Sequence, residues 1–246
     1  MLRTLKVHFL PTLVPSNGLQ DKTVVVIDVL RASTTIIHAL AAGASEVIPC
    51  VAIEDARRAS ELEPTTLLGG ERSGRKIDGF DFGNSPSEYT RDQVLGKRIA
   101  FTTTNGTRAM LACRAAGRVL IGAFANLSAI CNELQMAEEV ALVCAGTDGQ
   151  ITSEDVLFAG AVISDLCGRS DTTVVGNDEA RLAVTAWNAT CSELSGDRLQ
   201  NVLRETLGGN NLVTIGHGTD IEVAAKIDSH RVAPELCLQD WRIHLP

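Results

Sequence analysis

Three short segments bring acids, hydroxyls and amides to places where an apolar strand hands over to a helix. The first is VVVIDVLRASTT, Val24 to Thr35. Its apolar run delivers Asp28 and Arg31 to one turn, and Ser33 with two threonines opens the helix that follows. The second is TTTNGT, which carries Thr104, Asn105, Gly106 and Thr107. The third, GTDGQITSED, ends on Glu154 and Asp155. A helix start offers free N–H groups and the positive end of the macrodipole, so each segment reads as a cradle for phosphate or sulfonate. The same residue types are ordinary N-caps. Three of them at one sheet edge favour a site.

Asp28, Glu71, Asp81, Glu154 and Asp155 have no obvious cationic neighbour in sequence. Hard oxygen donors on loops suit Mg²⁺, which takes one or two carboxylates and fills its shell with water and substrate oxygens. Asp28 is the most informative, because a carboxylate at the end of a buried strand is costly without a partner. It either faces a metal or the reaction, or it pairs with Arg31. Glu154 and Asp155 begin a helix, where acids also complement the dipole. Arg31, Arg72 and Arg75 can fork onto an anion or lie solvated at the surface.

The elements that hold these groups follow a repeating order of strand, loop and helix. TVVVIDV is a continuous apolar run, the mark of a strand covered on both faces. Ser33 to Ala42 predicts a helix stopped by Gly43. EVIPCV predicts the next strand, with Pro49 at an edge or bulge, and IEDARRASEL a second helix. KRIAFTT, TRAMLACRAA, RVLIGAF, NLSAICNELQ and EVALVCAG continue the alternation, and SEDVLFAGAVISDL is a longer helix. Gly43 aligns with Gly117, a weak internal repeat of about 74 residues. The C-terminal third reads as more helical, over NDEARLAVTAWNAT, SGDRLQNVLRET and DIEVAAKI, with an irregular tail holding one short strand. The whole predicts a three-layer α/β fold, a largely parallel or mixed sheet with helices on both faces. Without a low-complexity linker, residues 1–246 are expected to form one domain. The stretch from Gly69 to Ser87 has many glycines and no periodicity, and a loop that long suggests function. Phe80 and Phe82 within it argue for order.

The 246 residues carry a formal net charge of −8, and only 4% are aromatic. That balance argues against a nucleic-acid binder, which would show a basic face, and so few aromatics leave stacking platforms scarce. No apolar run is long enough for a membrane span, and the N-terminus lacks a signal-peptide pattern. The seven cysteines show no CxxC spacing and read as reduced and structural, so a cytoplasmic location is expected. There is no GxSxG elbow, no P-loop and no GxGxxG after the first strand. No histidine forms an HxxxH or HExxH pair. His38 reads as packed in its helix, and His217 in TIGHGTD is the most site-like. A strand ending in aspartate suggests an aspartyl-phosphate phosphatase, but the second aspartate that motif needs is replaced by Leu30.

VVVIDVLRASTTI, GGERSGRKIDGFDFGNSPSE, TTTNGTRA and AGTDGQITSEDVLFAGAV together resemble, in order, the motif series of the 2-phosphosulfolactate phosphatase family. GHGTDIEVAAKIDSHRVAPEL resembles its C-terminal pattern more loosely. The resemblance implies Mg²⁺-dependent hydrolysis of 2-phosphosulfolactate, a step towards coenzyme M, on an α/β fold distinct from the common phosphatase folds. It makes Asp28, Glu71, Asp81 and Asp155 the candidates for metal binding, with Asp28, Arg31, Glu71 and Asp155 as catalytic candidates. Arg31, Ser33, Arg72, Asn84, Ser85, Thr104, Asn105, Gly106 and Thr107 become the candidates for holding phosphate and sulfonate. The partner implied is a small anionic phosphate ester, with a homodimer as the candidate assembly. A same-family phosphatase with another substrate, or a non-catalytic anion binder, stays open.

Overall fold

Alternation along the buried strands decides the layers. In chain order the elements are β1 (Arg3–His8), β2 (Thr23–Ile27), α1 (Ala32–Ala41), β3 (Glu46–Cys50), α2 (Ile53–Leu62), β4 (Leu67–Arg72) and β5 (Arg75–Lys76). Then come α3 (Arg91–Val94), β6 (Arg98–Thr102), α4 (Gly106–Ala112), β7 (Arg118–Gly122), α5 (Leu127–Glu133), β8 (Glu139–Cys144) and α6 (Ser153–Arg169). The chain ends with β9 (Thr173–Val175), α7 (Asp178–Cys191), α8 (Gly196–Glu205), α9 (Leu207–Thr214), α10 (Thr219–Ala224), β10 (Glu235–Cys237) and β11 (Arg242–His244). The computed structural model describes residues 3–191 and 196–246. On β2, Val25 and Ile27 pack into one core with Phe124, Phe158 and Trp187. Val24 and Val26 point the other way, into a second core with Ile36, Leu40 and Met110. Helices therefore cover both faces, as the period of two requires.

The eleven strands of the described residues form one sheet, in the order β5-β4-β6-β3-β11-β10-β7-β2-β8-β1-β9. β4, β6 and β3 form one parallel block, and β7, β2, β8, β1 and β9 a second. Three antiparallel steps through the β10–β11 hairpin reverse direction between them. The hairpin grips each block at a single residue pair, Glu235 with Leu120 and Ile243 with Val47. The second core reaches both blocks, from Val24 and Val26 to Ile99 and Phe101, and takes in Ile36 and Leu40 of α1 with Ala109 and Met110 of α4.

The repeat read from Gly43 and Gly117 is present as five matched elements. β2, α1, β3, α2 and β4 correspond in order to β6, α4, β7, α5 and β8. Each begins 72 to 75 residues before its counterpart: 23 against 98, 32 against 106, 46 against 118, 53 against 127, 67 against 139. The units exchange their first strands. β6 lies between β3 and β4 of the first unit, and β2 lies between β7 and β8 of the second.

Several expectations need correction. The glycine-rich stretch from Gly69 is not all loop. It continues β4 to Arg72 and turns into β5, with Glu71 opposite Lys76. Gly70, at φ +133°, lies so close to the Thr102 carbonyl that no side chain fits there. Phe80 and Phe82 are buried, as their type demanded. The tail is not irregular with one strand; it supplies both strands of the hairpin at the sheet's centre. β1, β9 and α9 are elements beyond the alternation expected from the sequence. His38 is packed as expected, its ring edge-on to His230 at 4.3 Å. Among the described side chains six cysteines are free thiols, and burial pushes those of Cys50 and Cys113 up to about 12. Among the described residues no helix is long and apolar enough to cross a membrane.

Candidate active site

Where the ends of β2 and β6 approach each other, α1 and α4 begin side by side. A Cβ on Gly106 would stand 2.7 Å from the Ala32 Cβ and 2.8 Å from Asp28 Oδ2. Glycine is therefore what lets the two helix starts touch. Beside this contact opens a cleft of about 330 Å³. Asp28, Arg31, Glu71, Asn84, Thr104 and Asn105 line it, together with Asp148 and a face of α9. The chain reverses at the cleft rim with positive φ at Ser73, Gly74, Asp148 and Gly149.

Asp28 caps α1. Its Oδ1 accepts from the Ala32 amide at 3.1 Å, and its own amide donates to Ser33 Oγ at 3.0 Å. Its Oδ2 has no hydrogen-bond partner among the described residues. Burial pushes the carboxyl up to about 7; the Ala32 amide opposes this, the Glu71 and Glu154 carboxylates add to it, and Arg31 opposes it. Of the two readings of Asp28, the pairing with Arg31 is absent. Arg31 instead donates through Nη1 to Asp220 Oδ2 at 2.7 Å and through Nη2 to the Gly74 carbonyl at 2.8 Å.

Glu71 braces the cleft wall. Its Oε2 accepts from the Gly74 amide at 2.7 Å and its Oε1 from the Thr104 amide at 2.9 Å, tying the first unit to the second. Asn105 Oδ1 accepts from the Asp148 amide at 3.2 Å. Thr107 and Thr103 cap each other through hydroxyl and amide. Ser33, Ser85, Gly106 and Thr107 thus stand behind the lining and support it. Asp155 lies deeper still. Its oxygens accept from the Val29 amide at 2.9 Å and the Gly146 amide at 3.0 Å, so it fixes the turn that presents Asp28. Burial raises its carboxyl, and Asp28 and Glu154 raise it further. Burial also raises Glu154, whose Oε2 is buried without a partner.

Arg72 and Asp81, like Asp155, Ser33, Ser85, Gly106 and Thr107, are absent from the cleft lining. The Arg72 guanidinium is spent on the Glu71 carbonyl at 2.7 Å, Thr102 Oγ1 at 2.9 Å and the Val51 carbonyl at 3.0 Å. Asp81 is exposed and accepts from the Leu68 amide at 2.8 Å. Arg75 is exposed on β5. Conversely, the sequence reading missed Asp148, Asp220 and the α9 residues Asn211 and Leu212. His217, singled out from the sequence, lies with Nδ1 3.7 Å from Asp220 Oδ2.

The donor chemistry of the cleft fits Mg²⁺. The lining carries three carboxylates, Asp28, Glu71 and Asp148, against one cation, Arg31. Asn84 Oδ1 and Thr104 Oγ1 are buried with no hydrogen-bond partner, and Asp28 Oδ2 is open beside them. These are hard oxygens, and they are too few for an all-protein cage. Among the described residues no three His, Cys, Asp or Glu side chains cluster as metal ligands. Mg²⁺ needs no such cage, since it keeps waters and takes substrate oxygens. Asp28, Asn84 and Glu71 are the residues that could hold it.

A family model described as 2-phosphosulpholactate phosphatase matches residues 8–238. A protein of Clostridium perfringens named probable 2-phosphosulfolactate phosphatase is 39% identical over 214 residues, covering 85% of this chain and 83% of its own length. Proteins with the same name from Thermotoga petrophila and Symbiobacterium thermophilum are 37% identical over 222 residues and 40% over 223. They cover 90% and 89% of this chain and 92% and 93% of their own lengths.

Proposed function

The chain belongs to the 2-phosphosulpholactate phosphatase family, and from that premise we propose that it hydrolyses 2-phosphosulfolactate to sulfolactate and phosphate with Mg²⁺. It is a phosphoric monoester hydrolase. One observation carries the rest of the reading: three acids and a single guanidinium line the cleft. An ester bearing phosphate, carboxylate and sulfonate would meet net negative charge there. Held by Asp28, Asn84 and Glu71, a divalent cation would offset that charge, and it would neutralise charge on the phosphoryl oxygens.

The chain's own residues then do the following. Arg31 holds an anionic oxygen of the substrate with N–H groups left free by its protein partners. The Thr104 hydroxyl and the Asn84 carboxamide fix orientation at the cleft wall. Asp28 Oδ2 faces the reacting phosphorus, where it either orients the attacking water or attacks and expels the sulfolactate alkoxide, which takes a proton from water, leaving an aspartyl-phosphate that a second water hydrolyses to phosphate. Asp155 and Ser33 keep that carboxylate in register and touch no substrate. The reading extends to a cytoplasmic enzyme supplying sulfolactate for coenzyme M formation, with a homodimer as its assembly.

The test is phosphate release from 2-phosphosulfolactate with Mg²⁺, with excess EDTA, and after Mg²⁺ is restored. Release that stops with EDTA and returns with Mg²⁺ is expected. Absence of release in all three would sink the activity, and release unaffected by EDTA would remove the metal. A panel of phosphate esters without the sulfonate tests the substrate: a loss of kcat/KM of at least tenfold is expected.

A further inference from the structure

Arg31 is held from behind by a residue of GHGTDIEVAAKIDSHRVAPEL that the sequence left without a role. Asp220, second in α10, is 2% exposed, and both its oxygens are committed. Oδ2 takes the Arg31 guanidinium at 2.7 Å, and Oδ1 takes the Ser85 hydroxyl at 2.5 Å. One carboxylate thus ties the start of α1, the Ser85 loop and the C-terminal helices together. The Gly74 carbonyl at 2.8 Å holds the other arm of the guanidinium. A guanidinium has five N–H donors. Two are used here, and the other three have no partner among the described residues. Arg31 lines the cleft, so those three are what an anion there can meet.

Resting on the proposed phosphatase reading, we infer that Asp220 is the positioning residue that orients Arg31 towards the anion of the substrate. A buried guanidinium has many rotamers and a strong need for a counter-charge. Asp220 supplies the counter-charge from the side away from the cleft and fixes the plane of the fork. Ser85 completes the arrangement by occupying the second carboxylate oxygen, so the carboxylate cannot rotate. Asp220 touches no substrate. The Gly74 carbonyl alone would leave the fork free to turn about one hydrogen bond.

The experiment measures affinity for inorganic phosphate in Mg²⁺ buffer by calorimetry, beside KM and kcat for 2-phosphosulfolactate. Asp220→Asn is expected to weaken phosphate binding and raise KM by roughly tenfold or more, with kcat changed less, as loss of one charge-assisted contact implies. Because Asp220→Asn leaves a buried charge unpaired, a second comparison avoids that strain. Arg31→Ala should be partly rescued by guanidinium at low, non-denaturing concentration, with urea as control. Arg31→Ala combined with Asp220→Asn, which has neither charge, should show no rescue. Equal rescue in both backgrounds, or unchanged phosphate affinity and KM in Asp220→Asn, overturns the inference. So does a wild-type protein that binds no phosphate. If wild-type protein binds phosphate with the expected Asp220 dependence but hydrolyses no ester, the phosphatase reading fails and the positioning role stands.

Discussion

The two repeated units use one capping geometry with two different residues. In the first unit Asp28 follows β2, and its Oδ1 accepts from the amide four residues on, at Ala32. In the second unit Thr103 follows β6, and its Oγ1 accepts from the amide four residues on, at Thr107. The amide of each is satisfied in turn by a hydroxyl from the helix it caps, Ser33 at 3.0 Å and Thr107 at 3.4 Å. A neutral hydroxyl is therefore enough to start the helix. The charge on Asp28 is surplus to scaffolding, and burial makes it costly. The same contrast holds at the outer strands. β4 ends with Glu71 facing the cleft, whereas its counterpart in β8 carries Val143 in the core. The fold is built twice, and the charges are placed once.

Writing the second unit's residue into the first breaks the comparison most sharply. Asp28→Thr keeps a cap and removes the charge, so it should fold and lose at least about 10³-fold in kcat/KM, the scale of losing a group that acts at the reacting centre. Circular dichroism and steady-state kinetics check both halves of that statement. Next in size is stability. The folded Asp28 carboxyl titrates near 7, above its unfolded value. Between about pH 4 and pH 7 it is therefore protonated when folded and ionised when unfolded, so stability falls as pH rises through that window and levels off above it. Asp28→Asn escapes the penalty. In EDTA its unfolding free energy from urea denaturation should match wild type near pH 4 and exceed it at pH 8, by an amount on the order of a few kcal/mol.

Gly106→Ala tests the contact between the two helix starts. The added methyl would meet Ala32 and the Asp28 carboxylate, and overpacking of this kind costs about 1–3 kcal/mol. Urea denaturation would show it, and activity should fall too because Asp28 must shift. The smallest effect belongs to the second unit's cap. Thr103→Val should cost about 1 kcal/mol of stability through the lost cap and leave kcat within about twofold, since Thr103 brings no charge to the cleft. A large kcat effect there would erase the functional asymmetry of the two units.

The legible part of this chain was whatever sequence-local patterns could decide. The apolar run from Val24 to Ile27 announced a strand covered twice. Gly43 and Gly117 marked the repeat, and three polar strand ends marked the cleft. Partner choice was not legible, because it depends on which elements the strand exchange brings together. Arg31 sits three residues from Asp28 yet bonds Asp220, which is 189 residues away. Arg72 and Asp155 looked available in sequence, and each is consumed by backbone groups from distant elements. Asp220 offered one signal, an acid opening a helix in TDIEVA, and dipole complementation explained it equally well. β10 and β11 are three residues each, too short for alternation to register.

Exchange of the first strands has a consequence for how the molecule comes apart. β2 sits at the heart of a block whose flanking strands lie 95 and 117 residues further along the chain. β6 sits within a block whose flanking strands precede it. Neither stretch of about seventy residues contains the middle of its own sheet. A partly unfolded form with one block intact would have to keep a strand from the other, so a single cooperative melting step is expected, with different spectroscopic probes giving coincident transitions. Slow folding is expected for the same reason, since no block closes before distant segments meet.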